Sequence, residues 1–124
     1  KIVEQEPYLV RLMTIATMLL ERNTNPGSLL RYKETMLGHV ARSGQLIEEK
    51  FPILAKGEGN QLIMSIDAML KGVYQSSTLP PNVKATFDAN PHVKMLEINL
   101  EEFLTHLVET HLSGLIQRKK NEED

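Results

Sequence analysis

Residues 59–76 fit a helix with two separate packing faces, and this feature most constrains the fold. At 100° per residue, the large apolar side chains fall on one arc of roughly 140°. That arc consists of Leu62, Ile63, Ile66, Met69, Leu70, Val73 and Tyr74. A stripe of small side chains lies about 130° away, also at helical spacing. Its members are Ser65, Ala68, Gly72 and Ser76.

Two packing faces on one helix predict two different neighbours. The apolar arc can serve the core of the chain itself. The small side chains permit the close approach of another helix, and we expect that helix to come from a second copy. The pattern therefore favours a domain for interaction and sensing over an enzyme.

Composition limits the class of protein. The chain has 124 residues, enough for one domain, and 41% of them are hydrophobic. A formal net charge of -2 argues against a surface built to neutralise phosphates. The lack of cysteine excludes disulfides and thiolate sites, and no apolar run is long enough to span a membrane. We expect a cytoplasmic protein, and because the chain starts at Lys1 rather than methionine, we expect it to be part of a longer one.

The hydrophobic periodicity predicts an all-α fold in a single domain over residues 1–124. We expect an antiparallel helical bundle of four main helices plus a short helical turn. The main helices are predicted at residues 7–22, 26–50, 59–77 and 91–119, and the short turn at 82–89. No strand is expected, because valine, isoleucine and threonine do not alternate with polar residues.

Turn and cap signals set the predicted boundaries. Asn25 can cap the second helix, with Pro26 at its first position, where the missing N–H of proline does no harm. Asn90 and Pro91 repeat this pair, which predicts that the fourth helix begins at Pro91. Gly44 lies on the apolar stripe of the second helix and would permit close packing there.

The first and fourth predicted helices each carry a broad apolar arc. In the first, the arc holds Tyr8, Leu9, Leu12, Met13, Ile15, Ala16, Leu19 and Leu20. In the fourth, it spans about 180°, which is wide for a helix packed on one side only. Its members are Val93, Leu96, Leu100, Phe103, Leu104, Leu107, Val108, Leu112 and Leu115.

The histidines do not have metal-site spacing. His106 and His111 are five residues apart and diverge by about 140° on a helix, and no His-Glu-x-x-His pattern is present. We therefore expect neither a metal nor a cofactor. His111 falls on the apolar face of the fourth helix, where it is either a core or interface histidine or, alternatively, a ligand contact.

Catalytic motifs are also lacking. The sequence has no nucleophile elbow, phosphate loop or dinucleotide fingerprint. Asp67, His39 and Tyr74 are the only candidates for a small helical enzyme, and nothing in the sequence predicts that they converge. We expect no enzymatic activity.

One flank of the second helix mixes polar and apolar side chains. His39 lies there with Tyr32 and Met36, a combination that can line a ligand cavity or form a half-exposed helix edge. Methionines spread over the first three helices suit irregular apolar pockets as well as plain cores. Asp67 and Lys71 have the favourable order for an ion pair four residues apart, and we expect a surface bridge.

Taken together, these segments resemble the C-terminal ligand-binding and dimerisation domain of tetracycline-repressor (TetR) family transcriptional regulators. The resemblance rests on the order and spacing of short segments between about Pro7 and Leu115 rather than on one specific motif. The segments are residues 7–12 (PYLVRL), 19–23 (LLERN), 30–33 (LRYK), 51–52 (FP), 70–75 (LKGVYQ), 100–104 (LEEFL) and 112–115 (LSGL). The family's N-terminal DNA-binding helix-turn-helix is absent from this chain.

The resemblance implies a homodimer whose four-helix bundle uses residues 59–76 and 91–116 of each subunit. It also implies a small-molecule effector cavity among the first three helices, with DNA bound only through an N-terminal domain that this chain lacks. The expected ligand contacts are Met13, Thr17, Tyr32, Met36, His39, Asp67 and Tyr74. The expected dimer contacts are Ser65, Ala68, Gly72, Ser76, Leu100, Leu104, Leu107 and His111. The alternative is a helical protein–protein interaction module without a small-molecule site, which a fully filled interior would favour.

Overall fold

The chain is an assembly of helices, as the periodicity predicts. The computed structural model describes residues 7–123, with the side chains of all of these except Pro7, Thr17, Leu20 and Glu123. Helix α1 comprises Pro7–Ile15, a π-helical turn at Ala16–Leu20 and Glu21–Asn23. The other helices are α2 (Pro26–Lys50), α3 (Glu58–Ser77), α4 (Pro81–Ala89) and α5 (Leu100–Glu123), with a 3₁₀ turn at Lys94–Leu96. Between residues 7 and 123 there is no strand, and the predicted all-α class is confirmed.

The predicted start of α2 is confirmed in atomic detail. Asn25 has extended backbone angles (φ -65°, ψ 152°), and its side-chain oxygen accepts a hydrogen bond from the Ser28 N–H at 2.9 Å. Pro26 occupies the first helical turn. The asparagine thus satisfies one of the N–H groups that a helix start leaves without an intrahelical partner.

The predicted start of the last helix is wrong. Helix α5 begins at Leu100 rather than Pro91, and its cap is Asn99, whose side-chain oxygen accepts from the Glu102 N–H at 3.0 Å. Asn90 instead ends α4, since its side-chain N–H donates to the Thr86 carbonyl at 2.8 Å.

Ion pairs connect residues 91–99 to α4. Lys84 Nζ lies 2.7 Å from Asp88 Oδ1 and 3.4 Å from Glu97 Oε1, and Lys94 Nζ lies 3.4 Å from the same Asp88 oxygen. The hydrogen bond to Asp88 raises the pKa of Lys84, and its counterpart lowers the pKa of Asp88. The segment is therefore tied to α4 by side chains that a local cap signal does not include.

Helix α3 is the common neighbour of α2, α5 and α1. The closest approach is to α2, where Gly44 and Gly59 are buried. A Cβ atom at Gly44 would collide with the side chain of Asn60, and one at Gly59 would collide with the Gly44 carbonyl. The close packing predicted at Gly44 is therefore present, and it brings the start of α3 against the second half of α2.

Glu48 secures the same junction. Its Oε1 accepts hydrogen bonds from the backbone N–H groups of Gly57 and Gly59, each at 2.9 Å. Gly57 precedes α3 with a φ of 93°, a conformation that glycine adopts without steric cost. One carboxylate of α2 thus satisfies two N–H groups at the start of α3.

The protomer buries little apolar surface. Among the described residues, the buried apolar side chains are Val10, Leu62 and Val73. No described side chain of α5 is fully buried, although that helix carries the broad apolar arc. The accessible surface of 9487 Å² compares with about 6,700 Å² expected for a compact monomer of 14.1 kDa.

Much of the apolar arc of α1 is exposed. Val10 is buried, whereas Tyr8, Leu12 and Leu19 are 76%, 58% and 57% exposed. The π turn comes after Tyr8 and Leu12: the Glu21 N–H bonds the Ala16 carbonyl five residues back and shifts the register of the end of the helix.

Candidate functional site

A cleft of about 540 Å³ lies between α1, α2 and α3, and we call it the main cleft. Apolar side chains from all three helices form most of its lining. They are Met13, Met36, Leu37, Val40, Ile63, Met64 and Ala68. Methionine is unbranched and polarisable, so a wall that contains three of them adapts to ligands of irregular shape.

Two ion pairs complete the main cleft. Lys33 Nζ of α2 lies 2.5 Å from Glu21 Oε1 of α1, and Lys71 Nζ lies 2.6 Å from Asp67 Oδ2, both on α3. The Lys33 ammonium also lies 5.7 Å from the centre of the Tyr32 ring, within the range of a cation–π interaction. All four charged side chains therefore have an oppositely charged partner, and their formal charges cancel.

A second, smaller cavity of about 230 Å³ adjoins the main cleft. It lies where the end of α1 meets the start of α2, between Ala16 and Leu29. Glu21 and Tyr32 line both spaces, so one aromatic ring and one carboxylate form the boundary between them. We call this space the side cavity.

Four of the predicted ligand contacts meet in the main cleft: Met13, Tyr32, Met36 and Asp67. His39 is exposed and Tyr74 is half-buried, and neither belongs to the described lining of this cleft. The main cleft therefore does not bring Asp67, His39 and Tyr74 together. The side chain of Thr17 lies outside the described part of the chain. Ligand contact by these residues stays a prediction.

The sequence reasoning missed part of the lining. Lys71 was expected in a surface bridge, but its pair with Asp67 stands at the cleft wall and is partly shielded. Glu21 falls on the polar side of a regular α-helix, and the π turn before it changes its direction. The position of Lys33 in the middle of the apolar stripe of α2 was the available signal, because a lysine there places its stem against the stripe.

The predicted dimer contacts on α3 and α5 are exposed or half-buried within the protomer. A groove of about 390 Å³ between these two helices has Ser65 on one wall and His111 on the other. Gly72 and Ser76 are exposed, and a Cβ atom at Gly72 would meet nothing within 4 Å. Leu100, Leu104 and Leu107 are half-buried. Ala68 is exposed and lines the main cleft, so it lies nearer the ligand side than predicted.

The groove ends at a shielded ion pair. Glu58 Oε1 lies 2.8 Å from Lys119 Nζ and 3.5 Å from Arg118 Nη2. The hydrogen bond from Lys119 and the backbone N–H of Ala55 hold the pKa of Glu58 below its ordinary value. The end of α5 is thereby fixed to the start of α3.

Between residues 7 and 123, no three histidine, aspartate or glutamate side chains are grouped as a metal site requires. No helix in that range is both long and apolar enough to cross a bilayer.

Comparison with known proteins identifies the family of the chain but no individual relative. No curated protein and no solved structure matches it significantly. A family model described as "Tetracyclin repressor-like, C-terminal domain" matches residues 1–119, and the helical fold agrees with it. The resemblance read from the sequence is therefore confirmed. The chain belongs to the tetracycline repressor-like C-terminal domain family and is the regulatory domain of a TetR-family regulator.

Proposed function

We propose that this chain is the effector-binding and dimerisation domain of a bacterial transcriptional repressor, and that its effector is a small, largely apolar molecule. The main cleft carries the proposal. It is apolar over most of its wall, has two ion pairs at its polar positions, and its volume of about 540 Å³ falls within the usual range of ligand sites. DNA would be bound through another domain of the regulator.

The uncovered faces of α3 and α5 support a homodimer. Gly72 and Ser76 offer a low ridge that another helix can approach closely, and the apolar arc of α5 is only half-covered within the protomer. The excess of accessible surface over a compact monomer exceeds the roughly 800 Å² that each partner buries in a standard interface. Two copies packed through α3 and α5 would cover both faces.

Helix α3 would couple the effector to the dimer. Asp67 and Ala68 line the main cleft, while Ser65 on the same helix lines the groove towards α5. A ligand that shifts α3 would therefore also shift the dimer contact. DNA readers attached to the two subunits must stay about 34–36 Å apart to match half-sites, and couplings of roughly 1–3 kcal/mol are typical of such systems.

A ligand panel tests the cleft. We expect at least one uncharged apolar molecule to raise the melting temperature of the wild-type chain, by the stabilisation that binding to the folded state gives. Met36→Trp, which fills the main cleft, should abolish this rise. His39→Trp places the same side chain on the exposed flank of α2 and should preserve it. Equal responses of the two variants would contradict binding in the main cleft.

A protein-binding role without a small molecule is the second candidate. The exposed apolar side chains of α1 favour it, because Tyr8, Leu12 and Leu19 are left largely uncovered by the described part of the protomer. The two functions predict different results: an interaction module would show no ligand-dependent melting and would not respond to Met36→Trp.

A further inference from the structure

The boundary between the main cleft and the side cavity consists of movable side chains. Tyr32 is 43% exposed, so its ring is not locked by packing on all sides. The other boundary group is the Glu21–Lys33 ion pair, whose lysine side chain is 48% exposed. Rotation of the Tyr32 ring requires only a change of side-chain torsion, which takes place on the nanosecond scale for exposed residues. The two spaces can therefore become one without movement of a helix.

The side cavity is shaped for an apolar tail. Ala16 of α1 contributes a short side chain to its lining, and Leu29 of α2 contributes a larger apolar one. Ala16 begins the π turn of α1, and such turns widen the helix and often occur at functional sites. The side cavity is too small for a typical effector but large enough for the end of one that starts in the main cleft.

The charges around the two spaces select against an ionic ligand. Glu21 is paired with Lys33, and Asp67 is paired with Lys71. An ionised ligand would have to give up its hydration against a largely apolar wall whose charged groups already have partners, a cost that an uncharged ligand avoids. An uncharged ligand leaves both pairs in place.

From this geometry, and resting on the proposed effector role of the main cleft, we propose that the effector is an elongated, uncharged, largely apolar molecule. Its tail passes the Tyr32 ring and occupies the side cavity between Ala16 and Leu29. The protein then discriminates between ligands by their length rather than by recognising a charged group.

A series of 1-alkanols from 1-hexanol to 1-dodecanol tests this inference by calorimetric titration of the whole chain. Burial of each added methylene strengthens binding about fourfold, so the dissociation constant should fall steadily while the tail enters the side cavity. Leu29→Trp fills that cavity, so the affinity should stop increasing at a shorter alcohol than in the wild type. The short alcohols should bind as they do in the wild type. Leu30→Trp is the matched control, since Leu30 is 59% exposed and lines neither space. It should keep the wild-type length profile.

Ala16→Phe fills the same cavity from α1 and provides a second test if Leu29→Trp fails to fold, as judged by circular dichroism. Suppose that the alcohols bind and that Met36→Trp blocks them, but that Leu29→Trp or Ala16→Phe shows the same dependence of affinity on alcohol length as the wild type. This result would overturn the inference, while the effector role of the main cleft would still stand. Failure of every alcohol to bind the wild type would overturn both.

The charge selectivity has its own comparison. Decanoate and decyltrimethylammonium share the chain length of 1-decanol but carry opposite charges. We expect both to bind at least tenfold more weakly than 1-decanol. Binding of either ion as tight as that of the alcohol would overturn the claim that the effector is uncharged.

Discussion

Lys119 Nζ lies 2.8 Å from Glu58 Oε1 and joins the end of α5 to the first turn of α3. The side chains are only 16% and 17% exposed, which is unusual for an ion pair in a protomer with so little buried surface. The backbone N–H of Ala55 donates to the other oxygen of Glu58 at 2.7 Å. These two donors keep the pKa of Glu58 below its ordinary value of 4.5, the hydrogen bond from Lys119 being the larger cause.

The lowered pKa predicts a loss of stability in acid. Because the folded-state pKa of Glu58 lies below the unfolded value, its stabilising contribution is complete above about pH 4.5 and is lost as the pH falls through the folded pKa. Glu58→Gln should therefore reduce the difference between the melting temperatures measured near pH 7 and near pH 3.5. Glu109→Gln, at an exposed position of α5, should leave that difference as in the wild type. An unchanged difference in Glu58→Gln would show that the pair does not contribute.

Gly72→Leu tests the dimer through α3. A side chain at Gly72 meets open space in the protomer, so the change should not destabilise the fold itself. Against a second copy, the leucine should hold the helices apart and shift sedimentation towards the monomer. Gly38→Leu is the control on α2, where a side chain also meets open space, and it should remain dimeric. A wild-type monomer at tens of micromolar, or a dimeric Gly72→Leu, would contradict this interface.

Gly44→Ala should destabilise the junction between α2 and α3. The added methyl group would collide with Asn60, and overpacking of this kind typically costs about 1–3 kcal/mol. Gly38→Ala in the same helix meets no neighbour and should instead stabilise by about 1 kcal/mol through helix propensity. Chemical denaturation of the two variants measures both changes. Stabilisation by both would mean that α2 and α3 are not in close contact at Gly44.

Separate replacements of Asn99 and Asn90 by alanine test where α5 begins. Asn99→Ala removes the cap of α5 and should lower the free energy of unfolding by about 0.5–2 kcal/mol, with a loss of helical circular dichroism. Asn90→Ala removes only a side-chain bond at the end of α4 and should have the smaller effect. A larger loss of stability in Asn90→Ala than in Asn99→Ala would instead support the helix start at Pro91 that the sequence pattern predicts.

Local signals predict those features of this fold that depend on neighbours along the chain. The apolar arc of α3 identified Leu62 and Val73, which are buried, and the proline and asparagine signals placed α2 correctly. Asn90 carries the same local signal as Asn25, but α5 begins at Leu100, and ion pairs from Lys84 and Lys94 connect the intervening segment to α4. Those pairs depend on tertiary structure, so a reading of caps and periodicity cannot include them.

The main cleft likewise contains some residues that the sequence predicts and others that it does not. Met13, Tyr32, Met36 and Asp67 line this cleft, and their contact with a ligand stays a prediction. His39 does not line it, because a position on the flank of α2 is compatible with either the cleft or solvent. Glu21 was missed for a physical reason: the π turn adds a residue to one turn of α1, and the sequence carries no clear signal for it.

The central position of α3 has a consequence for hydrogen exchange. Since α3 packs against α1, α2 and α5, local opening of α3 would break the contacts of three helices at once. Its backbone N–H groups near Leu62 and Val73 should therefore exchange with deuterium only when the whole chain unfolds, whereas those of α4 should exchange through small local openings. The slowest-exchanging amide protons would then identify α3 as the segment whose opening unfolds the whole chain.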